Sequence, residues 1–103
     1  TVLDRLFAVV ESRRGGDPEQ SYTARLFSEG RGKICSKLGE EAMETAVAAR
    51  DETPGHVVRE SADLLYHLMV LWAEQDITPE DVFDELANRA GTSGVEEKKF
   101  RQS

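Results

Sequence analysis

The chain has 103 residues, with 13 Lys plus Arg against 20 Asp plus Glu and a net charge of −7; this is read as one domain over residues 1–103. The acidic balance excludes broad contact with a nucleic-acid backbone, which needs clustered cations, and no apolar run approaches the ~20 residues of a membrane span. Cys35 is the single cysteine, which rules out an internal disulfide framework or a zinc site of several thiolates and fits a reducing cytoplasm.

Leu3, Leu6, Phe7 and Val10 recur at helical spacing and predict a short first helix, ended by the loop signature Arg13-Arg14-Gly15-Gly16-Asp17-Pro18. Ser21, Tyr22 and Thr23 open a second brief helix through Leu26 and Phe27, with a break expected around Gly30 and Gly32. A long amphipathic helix then runs from Lys33 to about Arg50, with Ile34, Leu38, Ala42, Ala46 and Ala49 as its expected apolar stripe. Gly39 inside it suggests that a neighbour packs closely there, since Gly costs ~1 kcal/mol relative to Ala in a helix.

Thr53 and Pro54 read as the N-cap and first residue of a helix that continues to about Gln75. From Val57 to Trp72 this segment is apolar on most sides, as expected of a central helix surrounded by others. Thr78-Pro79-Glu80-Asp81 repeats the start signal, Val82, Phe83, Leu86 and Ala87 supply a buried face, and Gly91 is the expected stop. Residues 92–103 form a tail that is polar except for Val95 and Phe100 and is expected to be a short helix or to order only on binding. The fold class is therefore all-α, a helical bundle completed by dimerisation. So small a chain buries only roughly two-thirds of its unfolded surface, and an interface with a second copy is expected to help stabilise it.

The chemistry lies on the two long helices. At ~100° per residue, Glu44 shares a face with Glu40 and Glu41, and Glu60 shares one with Asp63. If the helices form an antiparallel hairpin about the turn near Thr53 to Gly55, the carboxylates of both converge. Like charges brought together in a partly dry groove repel, and a divalent cation resolves that conflict. Oxygen-only ligation points to Mg²⁺ or Mn²⁺, which binds through a few carboxylates plus substrate phosphates. Arg25, Arg31, Lys33 and Lys37 form a cationic approach to the acidic helix, suited to phosphate oxygens. The plainer readings are a solvated acidic face, an Asp63 ion pair with Arg59 or Lys37, a Lys37 pair with Glu41 at i to i+4, and surface roles for Arg25 and Arg31. His67 is read as a hydrogen-bonded core residue and not as a ligand.

The pairs Glu41-x-x-Glu44 and Glu60-x-x-Asp63 resemble the metal-binding pattern of the MazG-like all-α nucleoside triphosphate pyrophosphohydrolases. Ser21-Tyr22-Thr23-Ala24-Arg25-Leu26, Lys33-Ile34, Lys37-x-Gly39-Glu40-Glu41-Ala42-x-Glu44 and Glu60-x-Ala62-Asp63-Leu64-Leu65-Tyr66-His67-Leu68 are similar to the phosphoribosyl-ATP pyrophosphatase family in particular. The likeness runs from about Val2 to the tail Ser93-Gly94-Val95-Glu96-Glu97-Lys98. Cys35 and Ser36 depart from the apolar residue and cation expected there.

The resemblance implies Mg²⁺-dependent hydrolysis of 1-(5-phosphoribosyl)-ATP to 1-(5-phosphoribosyl)-AMP and pyrophosphate, the second step of histidine biosynthesis; from the single cysteine and the small core, a cytoplasmic homodimer is expected. It implies Glu41, Glu44, Glu60 and Asp63 as metal ligands, Glu40 or Glu44 as the base, and Tyr22, Arg25, Lys33 and Lys37 as substrate-binding residues. Neither a nucleic acid nor a membrane is an expected partner. Two alternatives remain at this point: a house-cleaning (deoxy)nucleoside triphosphate pyrophosphatase of the same superfamily, and a non-enzymatic helical dimerisation module.

Overall fold

The computed structural model describes residues 1–90. Five helices follow one another, α1 (Val2–Ser12), α2 (Tyr22–Glu29), α3 (Arg31–Asp51), α4 (Pro54–Glu74) and α5 (Pro79–Arg89), and no strand occurs among the described residues. The all-α expectation holds. The tail and Gly91 lie outside the described residues.

The helix starts follow from capping chemistry. Ser21 and Thr53 each accept a backbone N–H three residues on, and Thr78 and Asp81 form a reciprocal box that satisfies two amides at the head of α5. Thr1 and Asp4 form the same box on α1. Pro54 and Pro79 occupy first turns, where a missing N–H is harmless. Gly30, with φ of +92°, both ends α2 and opens α3, a left-handed backbone that other residues adopt only with strain. That one residue makes the break, so α3 begins at Arg31 and carries Gly32 within it, two residues earlier than expected.

Phe7, Val10, Leu26, Ile34, Met69, Val70, Trp72 and Ala73 make the buried core. It gathers α1 and α2 against the first half of α3 and the second half of α4. Arg14 fastens the α1–α2 loop to the end of α4. Its Nη1 donates to the Ala73 carbonyl at 2.8 Å and to Asp76 Oδ1 at 3.1 Å, and its guanidinium lies over the Phe27 ring.

The other halves of α3 and α4 form the closed end of an antiparallel hairpin that extends beyond this core. Three sequence expectations change here. The buried residues of α3 are Ile34, Glu41 and Ala48, whereas Ala42, Ala46 and Ala49 face outward. The expected alanine stripe is therefore an exposed face. Similarly, the fully buried residues of α4 begin at His67; Val58 and Leu65 are 69% and 43% exposed, so α4 is not surrounded within one chain. A Cβ on Gly39 would meet open space, and no close neighbour explains that glycine.

Candidate active site

The hairpin register is visible in one side chain. Thr45 on α3 places its hydroxyl 2.8 Å from the Glu41 carbonyl and 3.2 Å from the Glu60 carbonyl, so the acidic turn of α3 faces the acidic turn of α4. Glu41, Glu60 and Asp63 each bring one carboxylate oxygen within 4.8 Å of the others. Glu41 is buried, Glu60 half-buried and Asp63 exposed. Glu44 stands outside that close trio and is exposed, yet its charge acts on both Glu41 and Glu60.

Desolvation and, after it, the neighbouring Glu44 carboxylate hold the Glu41 carboxyl above its ordinary range. Desolvation and Glu44 likewise raise Glu60. One oxygen of Glu41 and one of Glu60 are buried without a hydrogen-bond partner. Buried carboxylate oxygens are seldom left without a partner, and hard oxygen donors converging from two helices suit a divalent cation. The residues present fit such an ion. Asp63 makes no ion pair among the described residues; Lys37 pairs with Glu40 at 2.9 Å, at i to i+3 and not with Glu41. That pairing holds the Glu40 carboxyl below its usual range and the Lys37 ammonium above its own.

Beside the carboxylates lies a cleft of about 230 Å³ lined by Tyr22, Arg25, Leu26, Glu29, Lys33 and Lys37. All four residues expected to bind substrate thus line one space. Arg25 lies over the Tyr22 ring at 5.5 Å, and the Tyr22 hydroxyl is 3.2 Å from His67 Nε2. Arg31 leaves this group. Its Nε is 3.0 Å from both Glu74 carboxylate oxygens, which ties the head of α3 to the end of α4.

His67 is buried and hydrogen-bonded, as read from the sequence. What sequence reasoning missed is that its partners belong to the site, and that Thr45 bridges the two acidic turns. A Thr at i+4 from Glu41 was the available signal for the second, because a helical Thr hydroxyl reaches the i−4 carbonyl. Burial raises the Tyr66 phenol, whose hydroxyl pairs with Thr23.

The sequence model of the family described as phosphoribosyl-ATP pyrophosphohydrolase matches residues 3–90. A protein of Rhodospirillum rubrum named phosphoribosyl-ATP pyrophosphatase is 59% identical over 101 residues, covering 98% of this chain and 86% of its own. Proteins of the same name from Paramagnetospirillum magneticum and Azospirillum brasilense are 57% and 55% identical, with 97% and 99% of this chain matched and 92% of each relative. With the family match spanning nearly every described residue, this chain belongs to the phosphoribosyl-ATP pyrophosphohydrolase family.

Proposed function

We propose that this chain hydrolyses 1-(5-phosphoribosyl)-ATP to 1-(5-phosphoribosyl)-AMP and pyrophosphate, the second step of histidine biosynthesis, as a single unit over residues 1–103 in the cytoplasm. Family membership and the relatives' shared name support the reaction. The observation that carries it in the structure is the convergence of Glu41, Glu60 and Asp63, with two orphaned buried oxygens, beside a cleft lined by Arg25, Lys33 and Lys37. A polyphosphate fits between an acidic centre and a cationic wall only through a cation on the acidic side.

Glu41, Glu44, Glu60 and Asp63 hold that cation, Mg²⁺ with Mn²⁺ as a substitute. When bound, the dication neutralises polyphosphate charge and acts as a Lewis acid toward phosphoryl oxygens. Lys33, Lys37 and Arg25 take phosphate oxygens on the other side, and Tyr22 contacts the nucleotide. Glu40 or Glu44 takes the proton from the attacking water. Glu40 is held by Lys37 at 2.9 Å, a pairing that also orients the lysine.

The active form in this reading is a homodimer. Val58, Ala62 and Leu65 recur along one face of α4 and are exposed, as is Met43 on α3. A hairpin of two helices cannot cover such a face by itself, and a second copy laid on it buries these side chains.

The experiment is pyrophosphate release from phosphoribosyl-ATP, dUTP and dCTP, each with and without Mg²⁺. Mg²⁺-dependent preference for phosphoribosyl-ATP is expected. Preference for a deoxynucleotide would assign the house-cleaning activity instead, and no hydrolysis of any would leave the helical dimerisation module.

A further inference from the structure

His67 is 5% exposed, and the reaction described above makes no direct use of it. Its Nδ1 lies 2.8 Å from the main-chain oxygen of Asp63. A carbonyl only accepts, so Nδ1 carries a hydrogen and donates it. In the neutral ring Nε2 is then an acceptor, and the Tyr22 hydroxyl at 3.2 Å donates to it. The ring is also held sideways: Tyr66 meets it edge-on with centroids 5.0 Å apart, and Tyr22 does so at 6.0 Å.

Both partners are working parts of the site. Asp63 belongs to the acidic turn of α4, and Tyr22 lines the cleft on α2. Next to this bond Thr23 pairs with Tyr66, so consecutive residues of α2 are pinned to consecutive residues of α4 in antiparallel order. Because Arg25 lies over the Tyr22 ring, whatever sets Tyr22 also sets Arg25. A continuous chain of contacts, Asp63 carbonyl to His67 to Tyr22 to Arg25, therefore spans from the acidic turn to the cationic wall.

We propose that His67 is a positioning residue for substrate binding: by accepting from Tyr22 while donating to the Asp63 carbonyl, it sets the α2 wall of the cleft at the separation from the carboxylates that a polyphosphate requires. The inference rests on the assignment of the cleft as the nucleotide site. Orienting partners of this kind act on substrate affinity when they hold a binding side chain and leave the reacting atoms alone.

Two near-isosteric variants separate the two bonds. His67→Asn keeps a donor near Nδ1 but ends short of Tyr22, whereas His67→Gln places its amide oxygen near the Nε2 position. Steady-state kinetics with phosphoribosyl-ATP at saturating Mg²⁺, together with thermal melts, supply the readout. The expected result for His67→Asn is a KM raised about tenfold with kcat within about twofold, the size of one lost hydrogen bond to a binding group. Tyr22→Phe raises KM similarly, and the double variant is little worse than either, because both remove the same bond. His67→Gln stays within about threefold of the wild-type KM.

An unchanged KM in His67→Asn, whether or not its melting temperature falls, would overturn the proposal and leave a structural histidine. A fall in kcat at constant KM would also overturn it. If the wild type prefers another nucleotide in the panel, the substrate assignment fails alone, and the same split is then expected with that nucleotide. A wild type that hydrolyses none of them overturns both.

Discussion

The hydroxyl of Thr45 on α3 stands 3.2 Å from the main-chain oxygen of Glu60 on α4, and this polar contact joins the two acidic turns in the closed half of the hairpin. Thr45→Val keeps the shape and removes the hydrogen. The expected cost is about 0.5 to 1.5 kcal/mol, a fall in melting temperature of several degrees for a domain of about this size. Mn²⁺ affinity measured by calorimetry should weaken with it; an unchanged affinity would mean that the turns hold their register without this contact.

Asp63 is exposed while its carboxylate shares the acidic centre. Asp63→Asn is therefore expected to leave folding within about 0.5 kcal/mol while lowering turnover on the order of 100-fold through lost electrostatic stabilisation. Circular dichroism and pyrophosphate release check the two halves. Near-wild-type turnover at saturating Mg²⁺ would remove Asp63 from the ligand set.

The acidic centre gives the metal-free protein a distinctive pH dependence. Glu41 and Glu60 are both held above their ordinary value of 4.5, chiefly by desolvation and then by Glu44. Each carboxyl thus binds its proton more tightly in the folded chain than in the unfolded one. Their contribution to stability is fully present below 4.5 and is lost as pH rises through the folded values. Thermal melts in chelator should show stability from this source falling above that pH, with Mg²⁺ restoring it and Glu41→Gln flattening the slope. A metal-free melt whose slope is the same in Glu41→Gln would contradict the proposed cluster.

Two cations close in sequence are expected to behave differently. Lys37→Met removes a charge from the cleft and should raise KM roughly tenfold, as for a charge-assisted contact to phosphate. Arg31 instead forks onto Glu74, and with both partners at least partly exposed the pair is worth about 1 kcal/mol or less. Arg31→Met should lower the melting temperature by a few degrees with KM within about twofold.

The exposed face of α4 predicts the assembly. Sedimentation at micromolar concentration should show a dimer, and Leu65→Lys should shift it toward monomer by placing a charge on the face proposed to receive a second copy. A wild-type chain that sediments as a monomer would contradict the homodimer.

Much of this protein is legible along the chain because it depends on local chemistry. Caps and breakers sit at defined offsets, so Ser21, Thr53 with Pro54, and Thr78 with Pro79 mark helix starts that the structure reproduces. Helical periodicity similarly places Glu41 with Glu44 and Glu60 with Asp63. Burial was less legible. Ala42, Ala46 and Ala49 are apolar at the right spacing yet lie outside, while Glu41 lies inside, because hydrophobic spacing identifies a face without naming what covers it.

The sequence by itself determined the helices, the acidic pairs and the resemblance that the family match bears out, since each follows from residue type at short separation. Tertiary packing alone decided that Tyr22, Arg25, Lys33 and Lys37 share one cleft while Arg31 turns away to Glu74. It also gave His67 its partners on two helices. Those outcomes depend on the angles at which α2, α3 and α4 pack, and such angles arise from the joint filling of a core by residues distant in sequence.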